Sequence, residues 1–162
     1  MTDEEAHAEI VARLRARLTA LAAARHARLR EEPPFDGYDG TDVALVLHPR
    51  STDATPIRVW SFDAHTTFVE FGNDVMDEII TSPESVQQAV DDVMEVIDAV
   101  ADGRAKQRLW FTQHEPEPIG AQAWVQLTAG ERWVPFQSWG RIPWPFFGSR
   151  YRYEDIHYAA YS

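Results

Sequence analysis

Near the start of the chain Ile10, Leu14, Leu18 and Leu21 recur at 4-4-3 spacing, and Leu29 extends the row. That period sets them on one stripe of a helix. Thr2 and Glu5 have the spacing of a capping box, and Asp3, Glu4 and Glu5 stand where the positive end of the helix dipole would lie. Arg25, Arg28 and Arg30 suit the negative end and Pro33-Pro34 is a stop, so the pattern predicts a helix over 3–31. A polar helix with a single apolar stripe needs a surface to cover.

Alternation replaces the helical period further on. "VALVLH" (43–48), "IRVWSF" (57–62) and "TTFVEF" (66–71) are rich in β-branched and aromatic residues. The last two are separated only by Asp63, Ala64 and His65, which predicts a hairpin. Trp60 and Phe62 fall on the face opposite Ile57 and Val59, so both faces are expected to be partly covered.

"SPESVQQAVDDVMEVIDAVADG" predicts a second helix, with Ser82 as N-cap, Pro83 at the first position and Gly103 just past the end. Val86, Val90, Val93, Ile97 and Val100 share a wedge of about 80°. Glu84, Asp91, Glu95, Asp98 and Asp102 fill a similar wedge nearly opposite, a stripe about 27 Å long. This helix has no Lys or Arg to offset them.

Three further strand patterns follow: "RLWFTQ" (108–113), "AQAWVQL" (121–127) and "RWVPFQS" (132–138). Pro135 restricts the last to an edge or a bulge. In "RYRYEDIHY" Tyr151 and Tyr153 alternate with Arg150 and Arg152, the pattern of a late strand half covered by the core. The order predicts a single α+β domain over 1–162, with a mainly antiparallel sheet of about five to six strands. Its parts are the helix 3–31, the sheet and acidic helix over 43–138, and an aromatic C-terminal segment, 139–162.

Charge sharpens the picture. The net charge is −11, and residues 59–103 hold eleven acids and no Lys or Arg. The other residues have fifteen acids and fifteen bases, so the whole surplus lies in one block. Nucleic acid, held mainly through phosphate neutralisation, is an unsuitable ligand for such a block, whereas a basic protein suits it. Asp74, Asp77 and Glu78 join the helical acids as candidate partner contacts. An acidic N-terminus and the lack of any membrane-length apolar run lead to the expectation of a cytoplasmic protein.

Catalytic patterns are sparse. The six histidines form no H-x-H or H-x-x-x-H pair, there is no cysteine, and no serine-nucleophile or phosphate-loop motif occurs. "DGYDGTD" (36–42) lacks the oxygen spacing of a calcium loop, and His65 beside Asp63 reads as a turn residue. The expectation is therefore a protein that is not an enzyme and has no cofactor, metal or catalytic residue. A second candidate surface is aromatic. Ten of nineteen aromatic residues lie between Trp133 and Tyr161, and Trp139, Trp144 and Tyr151 could stack on a ring or a cation. Packing of that segment onto the sheet is the simpler use of it.

The stretches "IRVWSFDAHTTFVEFGND" and "SPESVQQAVDDVMEVIDAVADGRAKQRLWF" resemble the middle of small bacterial immunity-type proteins of toxin–immunity systems. The similarity covers about residues 57–111, a third of the chain, and rests on the "HTTF" corner (65–68) and the "DGR" transition (102–104). It implies a stoichiometric, non-catalytic inhibitor that plugs a basic toxin, such as a nuclease, with acidic side chains. Two other classes fit the same composition: a dimeric secretion chaperone or adaptor, and a small-ligand or glycan binder that uses the aromatic segment. Monomer and dimer are both compatible with the sequence.

Overall fold

The computed structural model describes residues 1–35, 40, 42–72, 75–80 (backbone only), 85–140, 142–143 and 150–162. Two helices and nine strands follow one another as α1 (Asp3–Ala24), β1 (Arg28–Glu32), β2 (Ala44–His48), β3 (Ile57–Ser61), β4 (Thr66–Phe71), β5 (Val75–Ile80), α2 (Val86–Ala101), β6 (Ala105–Thr112), β7 (Gly120–Val125), β8 (Val134–Gly140) and β9 (Tyr151–His157). The fold is α+β, but the strands form two antiparallel sheets, not one of five or six strands. One has the order β1-β2-β3-β4-β5 and the other β8-β7-β6-β9. No helix among the described residues is long and apolar enough to cross a membrane.

The first helix begins as its sequence dictates. The Thr2 amide donates to Glu5 Oε2 at 2.7 Å, and the Glu5 amide donates to Thr2 Oγ1 at 3.2 Å. It ends earlier than expected, at Ala24, so the helix over 3–31 is corrected to 3–24. His26 adopts φ 52°, and the Ala27 amide reaches back to the Ala22 carbonyl at 2.9 Å. That is the geometry of a left-handed helix terminus, formed here without the glycine that usually marks one. Residues 28–32 then pair with β2, Leu29 opposite Leu47 and Arg30 opposite Val46.

In α2 the N-cap is Ser85, not Ser82: its hydroxyl accepts from the Gln88 amide at 3.2 Å. Ser82, Pro83 and Glu84 lie outside the described residues. At the other end Gly103 has φ +74°, with its amide on the Val100 carbonyl and the Arg104 amide on that of Ala99. This is a complete Schellman motif. The chain's end passes so close that a Cβ on Gly103 would stand 2.7 Å from the Ala160 amide nitrogen.

The larger buried cluster joins both helices to both sheets. Ile10, Leu14 and Leu18 of α1 and Val90, Val93, Ile97 and Val100 of α2 meet Leu47, Ile57, Val69 and Phe71 of the first sheet and Leu109, Phe111, Ala121 and Ala123 of the second. Helix α1 lies on β1–β3, while α2 packs beside α1 and against β4 and β7. The sheets adjoin where β5 approaches β8 and β7. Trp60 stacks on Phe68 at 5.0 Å on the opposite face of the first sheet and is buried with Ala44 and Val46. That face is therefore covered in part, as the alternation suggested, while Phe62 stands 68% exposed.

The last residues strap the layers together. The Tyr161 amide donates to the Ala101 carbonyl at 2.8 Å, and the Ala159 amide donates to that of Asp53 at 2.9 Å. The Tyr161 hydroxyl is buried against the carbonyl oxygens of Thr55 (2.6 Å) and Leu47 (3.3 Å). Burial pushes this phenol well above the ordinary value of 10.0. A group whose folded pKa is raised supplies stability below its unfolded pKa and loses it as the pH climbs through the folded one. Urea titrations should show stability falling above pH 10, with that slope absent in Tyr161→Phe, which costs about 1–3 kcal/mol at neutral pH. Gly103→Ala should cost more than about 1 kcal/mol, since it forces a side chain into left-handed backbone and against Ala160.

Candidate functional site

The acidic helix is less free than its sequence implies. Two of its carboxylates are met by arginines reaching across from α1: Arg17 bonds Asp91 at 3.2 Å and Arg25 bonds Asp102. Arg104 adds a contact to Asp102 at 3.1 Å. Asp98 is half-buried, and desolvation raises its pKa despite Arg17 and Arg25 nearby, with the Asp102 charge adding to the rise. The Asp91 carboxyl is lowered, first by the Gln87 side-chain amide and then by Arg17. Glu95 stays exposed with no ion pair among the described residues. Glu84 and Asp74 lie outside the described residues, and Asp77 and Glu78 are placed on β5 by backbone alone. The structure thus gathers Asp91, Asp98 and Asp102 on one face, but uses most of them to bind α1.

The aromatic segment is divided between two faces. Trp139 is opposite Ala121 and packs against the core, while Tyr151 is opposite Thr112 on the outer face. Trp144 lies outside the described residues. Tyr151 and Tyr153 do share a face, with Arg152 opposite, and it is the face turned from the core. Pro135 lies on the edge strand β8 at a register shift, so it is both at an edge and at a bulge.

Strand pairing builds a surface that no single stretch of sequence displays. Along β6, Ala105, Gln107, Leu109 and Phe111 are buried, and Lys106, Arg108, Trp110 and Thr112 point outward. The register sets Lys106 between His157 of β9 and Trp124 of β7, Arg108 between Asp155 and Gln122, and Trp110 beside Tyr153. The Lys106 ammonium lies 4.4 Å from the Trp133 ring and 5.4 Å from that of Trp124. Arg108 grips Asp155 through two bonds of 2.6 and 2.7 Å while lying 4.2 Å over the Tyr153 ring. Its guanidinium holds the Asp155 carboxyl below the usual range. Trp110 stands 5.4 Å from Tyr153, and its buried indole N–H has no acceptor among the described residues. Tyr153 is 56% exposed.

The corner at His65 is built around Asp63. Asp63 Oδ1 accepts from the His65 and Thr66 amides, both at 2.7 Å, and these bonds, the His65 amide first, lower its pKa. Its carboxylate closes a turn. Of "DGYDGTD", residues 36–39 and 41 lie outside the described residues. No protein-family model, curated protein or solved structure matches the chain.

Asp98 offers a test of the helix face. Its raised pKa means that ionisation works against folding once the pH exceeds the ordinary 3.8. Asp98→Asn should raise the melting temperature at pH 7 and lose that advantage as the pH falls through the carboxylate range, followed by calorimetry.

Proposed function

We propose that this chain is a non-catalytic, inhibitor-type protein that acts by binding another protein, with the outer face of β6–β9 at the centre of the contact. The observation that carries the reading is the ordered set Trp110, Trp124, Trp133, Tyr153 and Arg108 on that face. Tryptophan, tyrosine and arginine supply most binding hot spots between proteins. Here the cation–π stacks and the Arg108–Asp155 fork hold them in place beforehand, which reduces the ordering cost of association. The same stacks occupy ring faces that a sugar would need, which disfavours a glycan ligand. Four strands of this length offer roughly 400 Å², about half of one side of a standard interface. The loops at the sheet ends, with Glu115, Glu117 and Glu131 exposed, supply a polar and mainly acidic rim.

The surplus of eleven negative charges favours a basic partner, since the field of the whole chain speeds its encounter. An immunity-type role, neutralising a basic toxin, is the concrete form of this reading and agrees with the resemblance in the middle of the chain. A second reading keeps the α2 face as the contact, supported by Glu95, which stays exposed without an ion pair.

Co-purification with the product of the neighbouring gene, followed by calorimetric titration, separates the two. Tyr153→Ala with Trp124→Ala should weaken a one-to-one complex by about thirtyfold or more, while Glu95→Lys changes it less than threefold. The reverse result transfers the contact to α2. Absence of any complex with that product, or a complex indifferent to both sets, rejects the corresponding proposals.

A further inference from the structure

At the far edge of the first sheet, away from the aromatic face, a cavity of about 340 Å³ is lined by Arg28, Arg30, His48, Pro49 and Arg50. Its three arginines lack a carboxylate partner, a state shared among the described residues only by Arg132, Arg150 and Arg152, which line no part of this cavity. Arg13, Arg15, Arg17, Arg25, Arg58, Arg104 and Arg108 all have carboxylate partners. Arg28, Arg30 and Arg50 are exposed and have none among the described residues. We propose that Arg28, Arg30, His48 and Arg50 form a binding pocket for a small, compact phosphate-class anion carrying two or more charges.

The placement follows from register. Arg28 and Arg30 lie two apart on β1, hence on one face about 7 Å from each other. His48 stands directly opposite Arg28 on β2, and Arg50 follows two residues later. Charged side chains on an edge strand guard against strand addition, which accounts for Arg28 and Arg30. It does not account for Arg50 and His48, which come from the neighbouring strand and its loop to the same cavity. Nor is the charge cancelled from below. Glu32 is engaged by His48 Nε2 at 2.8 Å and by Arg58 at 3.1 Å, and Arg58 also approaches Glu70. That network holds His48 in place and leaves the arginines unneutralised.

The lining selects the ligand. Guanidinium forks match phosphate oxygens in pairs, and three of them from different directions suit a tetrahedral group better than one planar carboxylate. Apart from His48 the walls contain no aromatic ring, so a nucleobase would find little to stack on. The volume is at the small end for ligand sites. A long polyanion would have to approach a chain of net charge −11, whereas a small one meets chiefly the local field.

The test titrates the full-length chain with pyrophosphate, inorganic phosphate and citrate by calorimetry, with thermal unfolding alongside. Pyrophosphate should bind at one site, raise the melting temperature, and bind more tightly than phosphate or citrate. Arg28→Ala and Arg50→Ala, both at exposed positions, should each lower its affinity about tenfold or more. Arg132→Ala, an exposed arginine in the β7–β8 connection, should leave it unchanged. The proposal is overturned by non-saturable binding, by citrate binding as tightly as pyrophosphate, or by an equal loss in Arg132→Ala.

Discussion

Burial of α2 between α1, β4 and β7 is the constraint from which the rest of the arrangement follows. Nine of its sixteen residues are buried, from Val86 to Ala101, including Ala89, Met94 and Ala99 beside the valine stripe. A helix enclosed on that many sides keeps its ionised groups at its margins, exposed like Glu95 or answered by another element. Two of its acids are answered by α1, where Arg17 and Arg25 meet Asp91 and Asp102. Exposed pairs of this kind contribute little each, about 0–1 kcal/mol. Their main effect is to specify which side of α2 turns toward α1.

The ends of α2 extend its influence to both sheets. The Gly103 turn sends the chain directly into β6, and the strap at 158–161 returns across the same point through the Tyr158, Ala159 and Tyr161 amides. Because β9 ends in that strap, its register on β6 is set by where the strap is anchored. One residue of slippage would turn Tyr151, Tyr153 and Asp155 inward and break every contact of the outer aromatic face. The candidate binding surface thus depends on hydrogen bonds made at the opposite end of its strand. The arginine pocket has a similar origin, in a register between β1 and β2 fixed by Leu29 against Leu47.

Much of the architecture was legible as local pattern. Strand β4 was expected over 66–71 and is found there, and the capping box and Gly103 terminus behave as their residue types require. The failures are equally specific. β1 has the sequence RLREE, four charges in five residues, and nothing in it favours a strand until β2 pairs with it. His26 occupies a left-handed position with no glycine to announce it, so the end of α1 was invisible. Strand β5, VMDEII, was not among the predicted strands, and its Asp77 and Glu78 stood out only as acids. The acidic stripe of α2 was correctly seen as unopposed on its own helix, but the bases that answer it come from residues 17 and 25, more than seventy positions away.

The sequence by itself determined which residues are apolar, at what period, and where charge accumulates; these properties are local and survive in any fold. It therefore specified α+β structure, two amphipathic helices, and an aromatic C-terminal end. Tertiary structure alone decided the division into two sheets, the partners of the acidic stripe, and the face on which each aromatic ring stands. The reason is that strand register and helix–helix contact join residues far apart in the chain, and one step of register reverses the face of every side chain. Trp124, Lys106 and His157 have no relationship in the sequence; in the folded chain they form a single row.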